Sequence, residues 1–331
     1  MRLAGIALLL AMVPLGTLRA QDRGGCTADG KVTMSDARAI TVTLGTATPG
    51  GGFPLYGGAV AEAVHAADPS LTLETRNTKG STENVPLLEQ GALDIALVQG
   101  EVASEALLGL GREPATLKIL AAMYSTPGMF VVRADSSYRA IRDLANKPVA
   151  FGARGSGLVI LSRYVLDGIG LDQDKDFQAI YLDRAGDGPA MVLDGRAAAL
   201  WGGGIGWPGF TAVAQGPAGA RFIAPSAEER AQITAKHPFL KPLTVPAGSY
   251  PGQTAPVESV GSWSFILTRP TLDDDTAYRL ARALHCAERA LAEKLPQARE
   301  TTAANTAAAA PRPDLIHAGA LRYLRELGLA P

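Results

Sequence analysis

Apolar runs and amphipathic stretches alternate in the first third of the chain. Ile40 to Leu44 is a β-rich run, and Leu55 to Ala67 carries apolar residues at helical spacing. Leu71 to Thr75 alternates between apolar and polar residues, which predicts a second strand. A short helix from about Thr82 to Gln90 and a buried strand from Asp94 to Val98 follow. The pattern therefore predicts the order strand, helix, strand, helix, strand.

The same order recurs in the middle of the chain. Val149 to Phe151 predicts a strand, and Leu158 to Asp167 predicts a helix. Phe177 to Leu182 predicts the next strand, Gly188 to Leu193 a short helix, and Ala198 to Trp201 a third strand. Strands that alternate with helices favour parallel sheets, so we expect an α/β fold built from two copies of one unit.

A glycine-rich turn joins the first strand to the first helix in each copy. The turns are residues 45–53 (GTATPGGGF) and 149–157 (VAFGARGSG), and Gly50 and Gly155 are 105 residues apart. Such turns expose backbone N–H groups at a helix N-terminus, where they can hold a carboxylate or phosphate. Both turns follow the carboxyl end of a strand, where α/β sheets bind ligands. We therefore expect two lobes that face one small anionic ligand across a cleft.

Two further strand-like runs bracket the second copy. Met129 to Arg133 and Trp263 to Leu267 are the candidates for crossovers between the lobes. The helical stretches Thr271 to Leu295 and Ala318 to Leu327 are expected to pack back onto the first lobe, with a linker at Ala307 to Pro313. The predicted organisation is a signal peptide at 1–20, a flexible leader at 21–37, lobe I at 38–130 plus 264–331, and lobe II at 131–263.

The N-terminus has the pattern of a secretory signal. Arg2 supplies a positive charge, residues 3–15 are largely apolar, and Leu18-Arg19-Ala20 resembles a small-residue cleavage site. The alternatives are an uncleaved anchor or an unusual cytosolic start. No later stretch reaches the ~18 uninterrupted apolar residues of a membrane-spanning helix. We therefore expect a periplasmic protein.

The chain has two cysteines, Cys26 and Cys286. In an oxidising compartment a disulfide between them is favoured, and two unpaired thiols are the alternative. A lipid-anchored Cys26 is disfavoured because residues 22–25 lack the apolar and small residues that such processing needs. The four histidines are scattered, and no Cys/His set has zinc spacing, so no metal or other cofactor is predicted.

Composition narrows the function class further. The chain has 31 basic and 32 acidic residues, a formal net charge of −1, and no basic cluster interleaved with aromatic residues. Nucleic-acid binding therefore has no support. The 47% apolar content and the 37 glycines indicate a globular chain rich in turns. The length of the mature chain favours two domains.

The run from residue 41 to residue 100 resembles the TAXI family of TRAP-transporter solute receptors. The matching pieces are Gly57-Gly58-Ala59-Val60, residues 80–84 (GSTEN) and residues 94–99 (DIALVQ). Further pieces follow in order along the mature chain: residues 131–135, residues 141–144, Gly155-Ser156-Gly157, residues 246–252 and the tail around His317. Each piece is short, and their order makes the set specific.

The resemblance implies a two-lobe fold similar to type II periplasmic binding proteins. It also implies an extracytoplasmic receptor that captures a small organic acid or amino acid and delivers it to a TRAP permease, an ion-gradient-driven transporter. A receptor of this layout is expected to act as a monomer. The same fold could instead serve an ABC importer or a periplasmic sensor, and the sequence leaves these alternatives open.

Candidate ligand contacts lie at the turns. Ser81 and Asn84 stand at a helix start, where Ser81 could also be a plain N-cap. Arg154 can hold a carboxylate in a bidentate pair, or it can be a solvated loop arginine. Two tryptophans near a glycine run could wall the pocket or belong to the core. The candidate ligand-binding residues are Thr46, Gly51, Gly52, Phe53, Tyr56, Ser81, Asn84, Gln99, Arg154, Gly155, Ser156, Gly157, Trp201, Gly203, Gly204 and Trp207.

An enzyme is disfavoured. Arg154-Gly155-Ser156-Gly157 does not fit the G-x-S-x-G pattern of a nucleophilic serine, because residue 154 is not glycine. The chain has no Walker loop, no HExxH and no Rossmann fingerprint with its acidic partner.

Overall fold

The computed structural model describes residues 25–33 and 38–330. The predicted signal peptide at 1–20 lies outside these residues. The strands are β1 (Ile40–Gly45), β2 (Leu71–Arg76), β3 (Ile95–Val98), β4 (Lys118–Arg133), β5 (Pro148–Ala153), β6 (Gln178–Leu182), β7 (Ala199–Gly203), β8 (Ala220–Ile223), β9 (Lys241–Val245) and β10 (Val257–Thr268). The helices are α1 (Gly52–Ala67), α2 (Ser81–Glu89), α3 (Gly100–Leu108), α4 (Gly157–Gly168), α5 (Gly188–Leu193), α6 (Pro208–Ala214), α7 (Ala227–Lys236), α8 (Asp274–Lys294), α9 (Ala303–Ala309) and α10 (Ala318–Glu326).

The predicted repeat is confirmed by the strand pairing. In the first copy, β1 lies between β2 and β3 and is parallel to both. In the second copy, β5 lies between β6 and β7 and is parallel to both. The helices α1 and α2 occupy the same places in the first copy as α4 and α5 in the second. The two copies are therefore the cores of two α/β lobes.

Two long strands join the lobes. Strand β4 pairs with β10 over residues 118–127 and with β7 and β8 over residues 128–133. Strand β10 pairs with β9 over residues 257–261 and with β3 over residues 265–268. The predicted crossovers at Met129–Arg133 and Trp263–Leu267 are parts of these strands. Both strands are buried for most of their length, as expected for segments that pass through the middle of the molecule.

Each lobe buries its own apolar clusters. In the first lobe, α8 packs between α1 and α10, and Leu280, Ala283 and Leu284 belong to a cluster that includes Val60 and Leu324. The C-terminal helices α8 and α10 therefore lie against α1 and the cluster that it helps to form. The prediction of a linker at Ala307–Pro313 is wrong in part, because α9 extends through Ala309. The Thr306 hydroxyl in this helix accepts a hydrogen bond from the Ala122 N–H of β4.

The predicted disulfide is present between Cys26 and Cys286. It ties residues 25–33 of the predicted leader to α8. The Val32 N–H donates to Ala67 O at 2.9 Å, and a Cβ on Gly30 would lie 2.8 Å from Cys286 O. This part of the leader is therefore held against the first lobe. Within the described ranges, the helices lack the combination of length and apolar character that crossing a membrane requires.

The two serines at the helix starts beside the cavity have different roles. Ser156 is the N-cap of α4, and its Oγ accepts from Leu158 N–H at 3.2 Å. Ser81 is not a cap, because α2 already begins at Ser81 and its N-cap is Gly80 at φ 120°. The Ser81 Oγ instead accepts from the Gln99 N–H at 3.0 Å, which ties α2 to the end of β3.

Candidate functional site

A cavity of about 60 Å³ lies between the two lobes, at the carboxyl ends of their parallel strands. Both glycine turns contribute to its wall. Its lining residues are Ala47, Thr48, Gly51, Gly52, Phe53, Lys79, Gly80, Ser81, Gln99, Tyr124, Thr126, Ala153, Ser156, Gly157, Leu158, Ala185, Gly203 and Trp207. Residues 124 and 126 lie on the connecting strand β4, so the cavity is formed by both lobes and by the connection between them.

The lobes touch backbone to backbone on one side of this cavity. The Gly155 carbonyl accepts from the Thr82 N–H at 3.2 Å and from the Thr82 hydroxyl at 3.0 Å. A Cβ on Gly155 would lie 2.6 Å from Lys79 O, and a Cβ on Gly80 would lie 2.7 Å from Gly155 O. Real Cβ atoms essentially never come so close to another atom. Glycine at both positions permits this contact, and we call the arrangement in which the lobes touch here the closed state.

A second contact has the same character. A Cβ on Gly50 would lie 2.6 Å from the Cα of Gly186, and the Ala185 N–H donates to the Thr48 hydroxyl oxygen at 3.2 Å. Gly50 lies in the first turn of its copy, between β1 and α1, and Gly186 in the second turn of the other copy, between β6 and α5. Gly155 and Gly80 form the reciprocal pair of first and second turns. The first turn of each copy therefore contacts the second turn of the other copy, so the two contacts between the lobes are related by pseudo-twofold symmetry.

Hydrogen-bond donors dominate the polar part of the lining. The helices α1, α2 and α4 all begin at the cavity, where the first N–H groups of a helix lack the usual partner one turn earlier. Three of these groups already have other partners: Thr82 N–H donates to Gly155 O, Glu83 N–H to Gly80 O and Leu158 N–H to Ser156 Oγ. The oxygens of Ser81, Ser156 and Thr48 each accept a backbone N–H, so their hydroxyl protons are available to a bound molecule. The cavity therefore presents partial positive charge.

Aromatic side chains form the apolar part of the lining. Trp207 is 8% exposed and reaches across to the first lobe, where a Cβ on Gly52 would lie 3.1 Å from its ring. Its backbone N–H donates to the hydroxyl of Tyr250, which in turn donates to Gly204 O at 2.6 Å. Tyr124 packs edge-to-face on Tyr56 at 5.1 Å, and burial raises the pKa of the Tyr124 hydroxyl, which stays a proton donor.

The cavity residue Gln99 is a neighbour of a buried carboxyl group, that of Glu101. Glu101, in the first turn of α3, accepts from the Ser262 hydroxyl at 2.6 Å, and no described residue bonds its Oε2. Burial raises the pKa of Glu101 to about 7, against the opposing effects of the Ser262 hydroxyl and, more weakly, the Gln99 amide. The Gln99 amide nitrogen makes no hydrogen bond of ordinary geometry to a described residue. Because Ser262 lies on β10, this carboxyl group sits at the junction of the lobes.

The structure brings nine of the sixteen predicted site residues to the cavity: Gly51, Gly52, Phe53, Ser81, Gln99, Ser156, Gly157, Gly203 and Trp207. Gly155 forms the adjacent contact between the lobes, and a Cβ on Gly157 would lie 2.5 Å from the Cβ of Gln99. That these residues bind a ligand stays a prediction.

The other predicted residues occupy structural positions or lie outside the lining. The Thr46 hydroxyl donates to Arg76 O or to the Asn77 side chain, and the amide of Asn84 donates to Thr46 O and Leu97 O at 2.8 Å each. Both side chains are fully buried. They fix the ends of β1, β3 and α2 relative to one another.

Tyr56 and Trp201 are core residues. The Tyr56 hydroxyl pairs with the Thr301 hydroxyl at 2.9 Å, and the Trp201 indole N–H donates to Leu158 O at 2.8 Å. Arg154 is exposed and stacks over the Tyr181 ring at 5.6 Å, so its guanidinium does not line the cavity. Gly204 follows the lining residue Gly203 at φ 94°.

Several lining residues carry no local signal that the sequence pattern would reveal. Tyr124 and Thr126 lie before the predicted crossover run, inside a strand whose first half carried no turn or motif to mark it. Ala185 belongs to the second turn of the second copy. The repeat itself was the signal for that turn, because it corresponds to the turn around Gly80 in the first copy.

The cavity contains no catalytic pair among its described residues. The four histidines bond elsewhere: His65 to Leu71 O, His237 to Asp167, His285 to Tyr323 and His317 to Leu272 O. The Ser156 oxygen accepts from the Leu158 N–H as the cap of α4. Nucleophilic catalysis by Ser156 would need an adjacent base, and the lining supplies no histidine or carboxylate for that role.

Comparison with known proteins places this geometry in a family. The model of the NMT1-like family matches residues 44–328, which include both glycine turns and the whole cavity lining. The chain belongs to the NMT1-like family. Solved structures with similar folds include a TctC solute-binding protein from Polaromonas, which is 16% identical with a TM-score of 0.50 over 89% of this chain and 99% of that one.

Two other solved structures are similar to this NMT1-like protein. The periplasmic binding protein BugD is 12% identical with a TM-score of 0.53, over 80% of this chain and 87% of that one. The alkanesulfonate-binding protein SsuA from Xanthomonas axonopodis pv. citri, solved with MOPS, is 17% identical with a TM-score of 0.48, over 88% and 85% of the two chains. The likeness to the TctC protein and BugD confirms the predicted fold of periplasmic binding proteins.

Proposed function

We propose that this NMT1-like protein is a periplasmic solute receptor of the TAXI type. It captures a small anionic solute between its lobes and delivers it to a TRAP permease. The observation that carries this proposal is the cavity between two lobes that meet through glycine backbone contacts. A site of this kind encloses a solute without adding a reactive group.

Closure supplies the signal that a permease could read. A ligand that bridges both lobes binds the closed state better than the open state, and it shifts the population only by that difference in affinity. The Ser81 and Gly52 side of the cavity belongs to one lobe and the Ser156 and Gly157 side to the other. An anion held between the starts of α1, α2 and α4 therefore gains part of its binding energy only when the lobes are together.

The anionic character of the solute is supported by the lining. The donors described above favour a negatively charged group, and Lys79 supplies a positive side chain. Lys79 is exposed, so solvent screens its charge and the helix starts contribute alongside it.

Delivery to a TRAP permease rests on the resemblance to the TAXI family in residues 41–100. An ABC importer or a periplasmic sensor would use the same capture step. Co-expression with a candidate TRAP permease in a cell that lacks solute uptake tests the partner. Uptake that requires both proteins supports the proposal, whereas receptor-dependent uptake through an ATP-driven importer refutes the TRAP part of it.

The capture step has its own test. Trp207 lines the cavity, so its fluorescence is expected to change when a solute binds and the lobes close. A matched Trp207→Phe variant removes this signal and leaves that of Trp201 and Trp263. Small-angle scattering with and without the solute reports the change in compactness. A solute that binds without any change in compactness would refute capture by closure.

A further inference from the structure

The lining of the cavity indicates what its cargo carries and what it lacks. We propose that the cargo is a monocarboxylate of two or three carbons without an amino group. This inference deepens the proposed receptor function and rests on it.

The hydrogen-bond donors of the lining determine which polar group of a cargo it can hold. Three helices of 16, 9 and 12 residues begin at the cavity, at Gly52, Ser81 and Gly157. The hydroxyl protons of Ser81 and Ser156 are free to donate, because each oxygen already accepts a backbone N–H. An oxyanion satisfies several such donors at once, whereas an ammonium, which can only donate, satisfies none of them.

The charged side chains of the lining limit the net charge of the cargo. Among the described residues that line the cavity there is no aspartate or glutamate, and Lys79 is the one lysine or arginine. A zwitterionic amino acid would bring an ammonium group into a cavity whose described lining offers it no carboxylate partner, so its loss of hydration would not be compensated. A single exposed lysine favours one negative charge on the cargo over two. The site therefore discriminates against amino acids and dicarboxylates.

The volume of the cavity limits the size of the cargo. The cavity measures about 60 Å³. An apolar cavity of about 150 Å³ accommodates benzene, so this space fits a molecule with fewer non-hydrogen atoms than benzene has. Phe53, Leu158 and Trp207 give it an apolar wall, which suits a methyl or methylene group beside the carboxylate. Acetate, propionate and glycolate meet all three conditions.

Glycolate, propionate and glycine form a matched set for the test, because they have the same number of non-hydrogen atoms. Calorimetric titration of the secreted protein with each acid measures the dissociation constants. We expect glycolate and propionate to bind at least about tenfold more tightly than glycine, since an unpaired buried ammonium costs more than a hydrogen bond contributes. Methanesulfonate, succinate and glutamate complete the panel.

The outcomes separate this inference from the proposed function. Tighter binding of glycolate or propionate than of every other member supports it. Glycine that binds as tightly as glycolate, or a sulfonate, dicarboxylate or glutamate that binds more tightly than every monocarboxylate, overturns it and leaves the receptor function standing. If no solute from this panel or from a broad metabolite library binds and makes the protein more compact, the receptor function itself fails.

Discussion

Alanine at position 155 should hold the lobes apart. A Cβ there would lie 2.6 Å from Lys79 O and 2.7 Å from Lys79 Cβ in the closed state, whereas ordinary packing begins at 3.4 Å. The lobes must therefore separate by roughly 0.8 Å at this point or accept the overlap. The backbone φ of Gly155 lies outside the left-handed region, so the alanine is not strained in itself, and the open state should tolerate it.

The magnitude follows from the cost of overpacking. Forcing an extra methyl group into a close contact costs about 1–3 kcal/mol, and each 1.4 kcal/mol is tenfold in a dissociation constant. The hydrogen bonds from Thr82 to Gly155 O would also lengthen. We expect Gly155→Ala to weaken binding of the solute that the titrations identify by about 5- to 150-fold. The melting temperature without solute should stay close to that of the parent protein, because the clash is absent when the lobes are apart.

Gly58→Ala is the matched control. Gly58 lies in α1 at an ordinary helical conformation, and a Cβ there meets nothing within 4 Å. Calorimetry should give the parent affinity for this variant, and its stability should rise by up to about 1 kcal/mol from the helix propensity of alanine. If Gly155→Ala binds as tightly as Gly58→Ala and scattering shows equal compaction, glycine is not what permits closure, and the reasoning is wrong.

Three further predictions concern charge, pH and the cross-link. Lys79→Met should weaken an anionic solute a few-fold, with a smaller loss at high salt, because the side chain is exposed and screened; titrations at two salt concentrations measure this. The pKa of Glu101 is about 7 in the folded protein and 4.5 for an ordinary glutamate, so the unfolded chain loses this proton at lower pH than the folded protein does. The free energy of unfolding should therefore fall by about 3 kcal/mol as the pH rises from 4.5 to about 7. Denaturant titrations should show less of that fall in Glu101→Gln, and an equal fall would contradict it. Reduction of the Cys26–Cys286 bridge, which closes a separation of 260 residues, should lower stability by up to about 5 kcal/mol. A Cys26→Ser/Cys286→Ser variant should melt at the same temperature as the reduced parent protein, whether or not a reductant is present.

Local pattern was sufficient for the repeated elements. Strand β1, helix α5 and the cap at Ser156 have strong short-range signals: a β-rich apolar run, a helix bounded by glycine, and a serine before an apolar helical face. Helix α3 was missed because residues 100–108 follow a buried strand directly and carry no serine, threonine, aspartate or asparagine at the N-cap.

The site was predicted less completely, because its composition depends on contacts between distant segments. Arg154 and Ser156 are two residues apart in one turn, yet Ser156 lines the cavity while Arg154 stacks outward on Tyr181. Charge alone made Arg154 an attractive candidate. Which side of a turn faces the opposite lobe is decided by the tertiary contact at Gly155, and no periodicity in the sequence reports that contact.

The reciprocal closing contacts follow from the repeat. Gly50 meets Gly186 and Gly155 meets Gly80, so the first turn of each copy contacts the second turn of the other. Two equivalent contacts on either side of the cavity hold the lobes more firmly in register than one, because each prevents rotation about the other. They are not equally open to mutation, since Gly50 has φ 83° and Gly80 has φ 120°, where alanine would strain the backbone in the open state as well. Gly186 also lacks a positive φ, but a Cβ there would meet Gly50 at an ordinary 3.4 Å. Gly155 is thus the position in these two pairs where an added methyl group opposes closure of the lobes without straining the backbone of the open state.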